Sequence, residues 1–122
     1  NVLDSWTQSL KEFESIHDTI GIANLVNNLG AIYYSQGSNA KALDYYLRSL
    51  NISDKLKDPL RISTSLLNIG GLYAEMLNFD KALEYYNKSL EIDEAILGKN
   101  HPNTATSYNN IGLIYFEQKK YD

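Results

Sequence analysis

The sequence predicts an all-α fold, a solenoid built from antiparallel helical hairpins. Two observations support this fold class: segments of the chain recur at a fixed offset, and each copy spaces its apolar residues with the period of a helix. With 43% hydrophobic residues the chain can bury a core, and only two prolines and seven glycines argue against a β fold rich in tight turns. We therefore treat the chain as a single repeat array, residues 1–122.

The repetition has an offset of 40 residues. Residues 41–52 align with residues 81–92 without a gap, and most of the aligned positions are identical. Residues 3–10 fit the same pattern, with Trp6 in the position of Tyr46 and Tyr86. A second block recurs at residues 28–33, 68–73 and 110–115, with offsets of 40 and 42. Such periodicity is the sequence signature of a repeat architecture.

The spacing inside each block is helical. Val26, Leu29, Gly30 and Tyr33 fall at i, i+3, i+4 and i+7, which places them on one helical stripe. Glycine is unfavourable in mid-helix, so we expect these recurring glycines to permit close packing, against Ala42 and Ala82 of the neighbouring helices. Boundaries are predicted at Gly37, Asp58-Pro59, Asn78 and Gly98, and again at His101-Pro102. The frame is a half-repeat at 1–17, full repeats at about 20–57 and 60–97, and a partial repeat at about 103–122 whose first helix ends near residue 118.

Composition excludes several classes of function. The net charge of −4 and pI near 5.1 oppose binding to nucleic acid or an anionic membrane, and no apolar run approaches the length of a membrane span. No cysteine is present, and the two histidines, His17 and His101, have no thiolate to join in a zinc site. The acidic residues Glu91, Asp93 and Glu94 are expected on a solvated helix face, and His101 is expected to shape a turn. We predict no enzyme activity, no catalytic residue, no metal and no cofactor, and take a cytoplasmic location as the default.

The order Leu-Gly-x-x-Tyr, then alanine twelve residues after the glycine, then an aromatic residue, resembles the tetratricopeptide (TPR) repeat. Gly30 to Ala42 and Gly70 to Ala82 have this spacing. The 40- and 42-residue period is longer than usual and is similar to the variant found in kinesin light chains and spindle-orientation adaptors, as is the segment 97–102. The resemblance implies a right-handed superhelical solenoid and a non-catalytic scaffold for protein partners.

In such a solenoid the first helix of each repeat lines a concave groove. The three Asn residues at positions 28, 68 and 110 occupy the same place in successive repeats, and each amide offers both a donor and an acceptor to a peptide backbone. The alternative is that these amides only satisfy one another or nearby backbone. The candidate groove residues are Asn24, Asn27, Asn28, Tyr34, Leu67, Asn68, Glu75, Asn109, Asn110, Leu113 and Phe116.

The charges of the groove positions restrict the ligand. The predicted positions include no Lys or Arg, which argues against the TPR subtype that clamps a terminal carboxylate, whereas Glu75 and Glu117 favour a neutral or mildly basic segment. We predict a scaffold that binds an extended peptide or partner segment. The alternative is an oligomerisation or regulatory module of a larger multidomain signalling protein, with head-to-tail self-association through the open repeat ends.

Overall fold

The computed structural model describes residues 2–121, with side chains described for residues 3–120. This part of the chain forms helices only, and each helix packs mainly against the next one along the chain. The predicted all-α hairpin solenoid is confirmed. The helices are α1 (Val2–Ser35), α2 (Asn39–Lys55), α3 (Pro59–Glu75), α4 (Phe79–Leu97) and α5 (Pro102–Tyr121).

The turns follow the predicted signals. Asp58 caps α3, where its side chain accepts a hydrogen bond from the Arg61 backbone N–H and Pro59 takes the first helical position. Asn78 caps α4 in the same way through the Lys81 N–H. Gly37 and Gly98 adopt positive φ values of 76° and 87°, a region that glycine enters without steric cost. Residues that supply local hydrogen bonds or rare backbone angles thus fix the hairpin lengths.

The break predicted between the half-repeat at 1–17 and the repeat starting at about 20 is wrong. Helix α1 continues through this point for 34 residues. Asp18 and Thr19 stand where the next repeat has Asp58 and Pro59, and Thr19 keeps the backbone N–H that proline lacks. The Thr19 hydroxyl also donates to the Ser15 carbonyl at 2.8 Å inside the same helix. Without the proline, the helix is not forced to end.

Helix α5 also runs further than predicted, to Tyr121 rather than residue 118. The segment Gln118-Lys119-Lys120 contains no glycine, and these residues have high helix propensity. A second helix of the partial repeat was expected to begin at Tyr121-Asp122, but Tyr121 still belongs to α5, and Asp122 lies outside the described residues.

The core lies between the helices of each hairpin and between neighbouring hairpins. One buried cluster contains Ala42, Tyr46, Ile69 and Leu72, and the next contains Ala82, Tyr86 and Ile114. These clusters join α2 to α3 and α4 to α5, so each hairpin is stabilised by the next, as in other solenoids.

Gly30 and Gly70 make room for a tyrosine ring, a contact that the expected packing against alanine did not include. A Cβ on Gly30 would lie 2.7 Å from the Tyr46 ring, and one on Gly70 would lie 2.7 Å from the Tyr86 ring. The Ala82 backbone oxygen lies 3.3 Å from the position of that second Cβ, so Gly70 also approaches Ala82 closely, as expected. Gly112 occupies the same repeat position in α5 but has no atom within 4 Å of its Cβ position among the described residues.

Candidate functional site

Three cavities lie along the side of the molecule formed by α1, α3 and α5. The first, of about 420 Å³ between α1 and α3, is called the Asn24 cavity after one of its lining residues. The second, of about 240 Å³ between α3 and α5, is lined by Asp93 and is called the Asp93 cavity. The third, of about 480 Å³, is bordered by Tyr34 and is called the Tyr34 cavity. Helices α1, α3 and α5 are those predicted to line the groove.

The Asn24 cavity is lined by a basic residue that is not among the predicted groove residues. Asn24 and Asn27 line it together with Arg61. The Arg61 guanidinium donates to the Asn24 side-chain oxygen at 2.8 Å and pairs with the Asp58 carboxylate at 3.3 Å. The inference that the groove has no Lys or Arg is therefore wrong, because Arg61 of α3 lines the Asn24 cavity. The negative charge of the Asp58 carboxylate offsets the positive charge of Arg61.

The asparagine row is partly engaged within the protein. The Asn68 side-chain amide donates to the Asn27 side-chain oxygen at 3.2 Å, so two successive repeats are joined by an amide–amide hydrogen bond. Asn28 and Asn109 are exposed and Asn110 is half-buried. This one hydrogen bond leaves Asn68 with a second side-chain N–H and its side-chain oxygen available. The row thus combines internal contacts with free hydrogen-bonding capacity.

The Tyr34 cavity brings α1, α3 and α5 together. The Tyr34 hydroxyl donates to the Glu75 carboxylate at 3.4 Å, and Asn110 and Leu113 of α5 also line the cavity. Burial raises the pKa of Tyr34 above its ordinary value of 10.0, and the negative charge of Glu75 raises this pKa further. The cavity thus has an acidic, hydrogen-bonding edge beside an apolar surface.

Two further predicted groove residues, Leu67 and Phe116, lie apart from the Tyr34 cavity. Leu67 lines the Asp93 cavity together with Leu60 and Thr64. Phe116 is exposed, and the Lys120 ammonium lies 5.0 Å from its ring centre.

Sequence reasoning missed a buried polar network beneath the groove. Asp93 is 5% exposed, so its expected place on a solvated face is wrong. The Ser63 hydroxyl donates to Asp93 Oδ1 at 2.6 Å, and the Ser107 hydroxyl donates to Oδ2 at 3.4 Å. Ser63 gives its one hydrogen to Asp93, so the single hydrogen of the buried Ser89 hydroxyl goes to Ser63, either to Oγ at 2.8 Å or to the backbone carbonyl at 3.1 Å.

A signal for this network was present in the sequence. Ser49 and Ser53 in α2 recur as Ser89 and Asp93 in α4, four residues apart in both helices. Polar residues that recur in phase on the apolar side of a helix indicate a buried polar layer. Glu91 lies on the exposed side of α4, as expected.

Other predictions about chemistry can be placed on the structure. His101 shapes the turn before α5, where its Nδ1 accepts a hydrogen bond from the Asn103 backbone N–H at 3.1 Å. Among the described residues, no cluster of three or more His, Cys, Asp or Glu has a geometry that could hold a metal ion. Within residues 2–121, no helix combines the length and apolar character that crossing a bilayer requires.

Known proteins share both the sequence pattern and the fold. A family model described as tetratricopeptide repeat matches residues 19–94 and, in a second alignment, residues 61–122. Among solved structures, BtubC (BKLC) from P. vanneervenii is similar, with a TM-score of 0.73 and 24% sequence identity. That match covers 79% of this chain and 39% of BtubC, so the chain spans well under half of that protein. No curated protein sequence matches the chain.

Proposed function

Because the chain belongs to the tetratricopeptide repeat family, whose domains generally act as non-catalytic scaffolds for protein partners, we propose that it binds an extended partner segment in the groove along α1, α3 and α5. The observation that carries this proposal is the in-phase row of Asn28, Asn68 and Asn110 beside three cavities on one side of the molecule.

Asparagine is a poor helix former, so three occurrences at one repeat position cost helix stability. A peptide backbone presents N–H and C=O groups that a side-chain amide meets as acceptor and donor together. The bond between Asn68 and Asn27 orients one amide of the row and leaves part of its hydrogen-bonding capacity for a ligand. The row is thus suited to hold an extended segment through its backbone.

The charges around the groove favour a neutral to mildly basic segment. Glu75 and Glu117 border the Tyr34 cavity. Arg61 is the basic residue that reaches the groove, and its pairing with Asp58 reduces its attraction for an acidic ligand. This arrangement differs from a clamp for a terminal carboxylate, which needs unpaired basic side chains, and the acidic net charge opposes nucleic acid as the partner.

The test selects 12-residue peptides from a random display library on the immobilised protein and measures their affinity by fluorescence anisotropy. Asn110→Ala should weaken binding about tenfold, because the variant loses one or two hydrogen bonds to the peptide. Asn87→Ala, at an exposed position on α4, is the matched control and should bind like the wild type. N-methylation of single peptide bonds in the ligand should also weaken binding. Peptides that bind both variants equally and tolerate N-methylation would refute capture by the backbone.

A second candidate function, self-association, is favoured by one observation. The first half of α1 exposes an apolar stripe that contains Leu3, Trp6, Leu10 and Phe13. Exposed apolar surface of this kind typically marks an interaction site. Sedimentation at increasing protein concentration tests it: a mass that rises with concentration, and that returns to the monomer value in Trp6→Ser, supports association, whereas a constant monomer mass excludes it.

A further inference from the structure

Two junctions between repeats have the same architecture and different charged residues. At the first junction, Ser53 of α2 lies beneath the Asn24 cavity and Arg61 of α3 lines it. At the second junction, Asp93 of α4 takes the place of Ser53, at an offset of 40. Asn103 of α5 takes the place of Arg61, at an offset of 42. The first junction therefore has a cation without a buried carboxylate, and the second has a buried carboxylate without a cation.

The Asp93 carboxyl group is held from below by neutral donors. Both of its oxygens accept hydrogen bonds from serine hydroxyls, of Ser63 and Ser107. None of the ion pairs among the described residues includes Asp93. Buried charges in proteins are usually paired with an opposite charge, because removal from water is costly. Serine hydroxyls fix the direction of this carboxylate but do not offset its charge.

The Asp93 cavity has a suitable size and lining for a long basic side chain. Leu60 and Leu67 supply apolar surface, while Thr64, Asn103 and Thr106 supply polar groups. Lysine and arginine have an aliphatic stem and a charged end, and they pack the stem on apolar surface while the charged end reaches a polar group. The volume of about 240 Å³ is small enough to select one side chain rather than a whole ligand.

We propose that the Asp93 cavity is a subsite for a lysine or arginine side chain of the bound partner segment, with Asp93 as its counter-ion. This inference rests on the proposed function, since it names one side chain of the segment held in the groove. It also gives a specific location to the mildly basic character expected of the ligand. The asparagine row then holds the backbone, and the Asp93 cavity selects one residue of the sequence.

The first experiment uses a small probe, so that it does not depend on an identified partner. Acetyl-arginine methylamide and its neutral analogue acetyl-citrulline methylamide are titrated into ¹⁵N-labelled protein, and amide chemical shifts are recorded. Saturable shifts are expected with the arginine compound at residues 63, 64, 93 and 107, and about tenfold weaker binding is expected with citrulline, which lacks the charge. Equal shifts with both compounds, or shifts located elsewhere, would overturn the proposal without any variant.

Two variants sharpen the result. Asp93→Asn keeps an acceptor oxygen for one of the two serine hydroxyls, replaces the other oxygen with an NH2 donor and removes the charge, so arginine binding should fall at least tenfold. Asn103→Arg places a basic residue where the first junction has Arg61, and it should block the probe while Asp93 stays in place. Glu91→Gln, an exposed carboxylate on the same helix, is the matched control for net charge and should leave binding unchanged. Unaltered binding in Asn103→Arg would contradict the subsite.

The outcome is separable from that of the groove proposal. If selected peptides lose affinity in Asn110→Ala but show no enrichment of basic residues and bind Asp93→Asn normally, the groove proposal stands and the subsite is wrong. If the arginine probe binds at Asp93 but no peptide depends on Asn110, the subsite stands and capture by the asparagine row is wrong.

Discussion

Residues 3–17 of α1 and helix α4 share the same repeat pattern, yet their surroundings differ. Tyr86 of α4 is 7% exposed and fills the space beside Gly70, whereas Trp6, at the matching position, is 74% exposed. The same contrast holds for Gly70 and Gly112, since only Gly70 faces a ring. Repeat sequence thus determines which residue is available for a contact, and the neighbouring helix determines whether that contact forms.

The largest difference between these regions is expected for removal of the aromatic side chain. Tyr86→Ala should lower the free energy of unfolding by about 3–5 kcal/mol, because a large buried side chain is lost and a cavity remains. Trp6→Ala should change it by less than about 0.5 kcal/mol, as at other exposed positions. Urea unfolding followed by circular dichroism measures both. Equal losses in the two variants would mean that residues 3–17 are packed in solution.

The glycines should respond with opposite signs. Gly70→Ala should destabilise the chain by about 1–2 kcal/mol, because strain against the Tyr86 ring exceeds the gain in helix propensity. Gly112→Ala should stabilise it by about 0.5–1 kcal/mol, since the added methyl group meets open space and alanine favours the helix. Thermal unfolding of the two variants beside the wild type gives both signs. A stabilising Gly70→Ala would show that Tyr86 moves aside at no cost.

Two aspartates at one repeat position provide a smaller contrast. Asp58→Ala should cost about 1 kcal/mol, because it removes the N-cap of α3 and the partner of Arg61. Asp18 lies inside α1, so Asp18→Ala should raise the free energy of unfolding by up to about 0.6 kcal/mol, because alanine has the higher helix propensity. If Asp18→Ala instead destabilises as Asp58→Ala does, a helix begins near residue 19 in solution and α1 is divided there.

The smallest effect is expected from pH and is tested at the buried tyrosines of α2 and α4. Burial raises the pKa of Tyr46 and of Tyr86 above the ordinary value of 10.0. Above that value the unfolded chain loses these protons while the folded chain keeps them, so stability is complete below about pH 10 and falls as pH rises further. In the double variant Tyr46→Phe/Tyr86→Phe, the loss of folding stability at alkaline pH should be smaller. Urea midpoints measured between about pH 9 and 11 test it, and an unchanged slope would contradict it.

Sequence patterns predicted the fold because the information that specifies it is local. Asp58-Pro59 and Gly98 act on the backbone next to them, so α3 and α4 begin and end as predicted, within a residue or two. The continuity of α1 was not predicted, because one substitution, Thr19 for proline, removed a boundary that the repeat alignment had suggested. Repeat alignment transfers a boundary even when the residue that causes it is absent.

The site was less accessible from sequence. Helical spacing predicts groove positions, but Arg61 is placed beside them by a hydrogen bond to Asn24 across 37 residues, which spacing on one helix does not reveal. Asp93 was assigned to the solvated side because carboxylates are rarely buried. Its serine partners, Ser63 and Ser107, lie on α3 and α5, and Ser89 of α4 joins the network through Ser63, so the burial of Asp93 depends on the tertiary arrangement of three helices.

The exposed indole of Trp6 gives the molecule a built-in optical reporter. It is the single tryptophan in the chain, so the intrinsic fluorescence excited at long ultraviolet wavelengths reports on this one place. An indole surrounded by water emits to the red, and one covered by apolar surface emits to the blue. Any partner, second copy or rearrangement that covers the start of α1 will therefore shift the emission without a label, whereas a ligand confined to the Asp93 cavity will leave it unchanged.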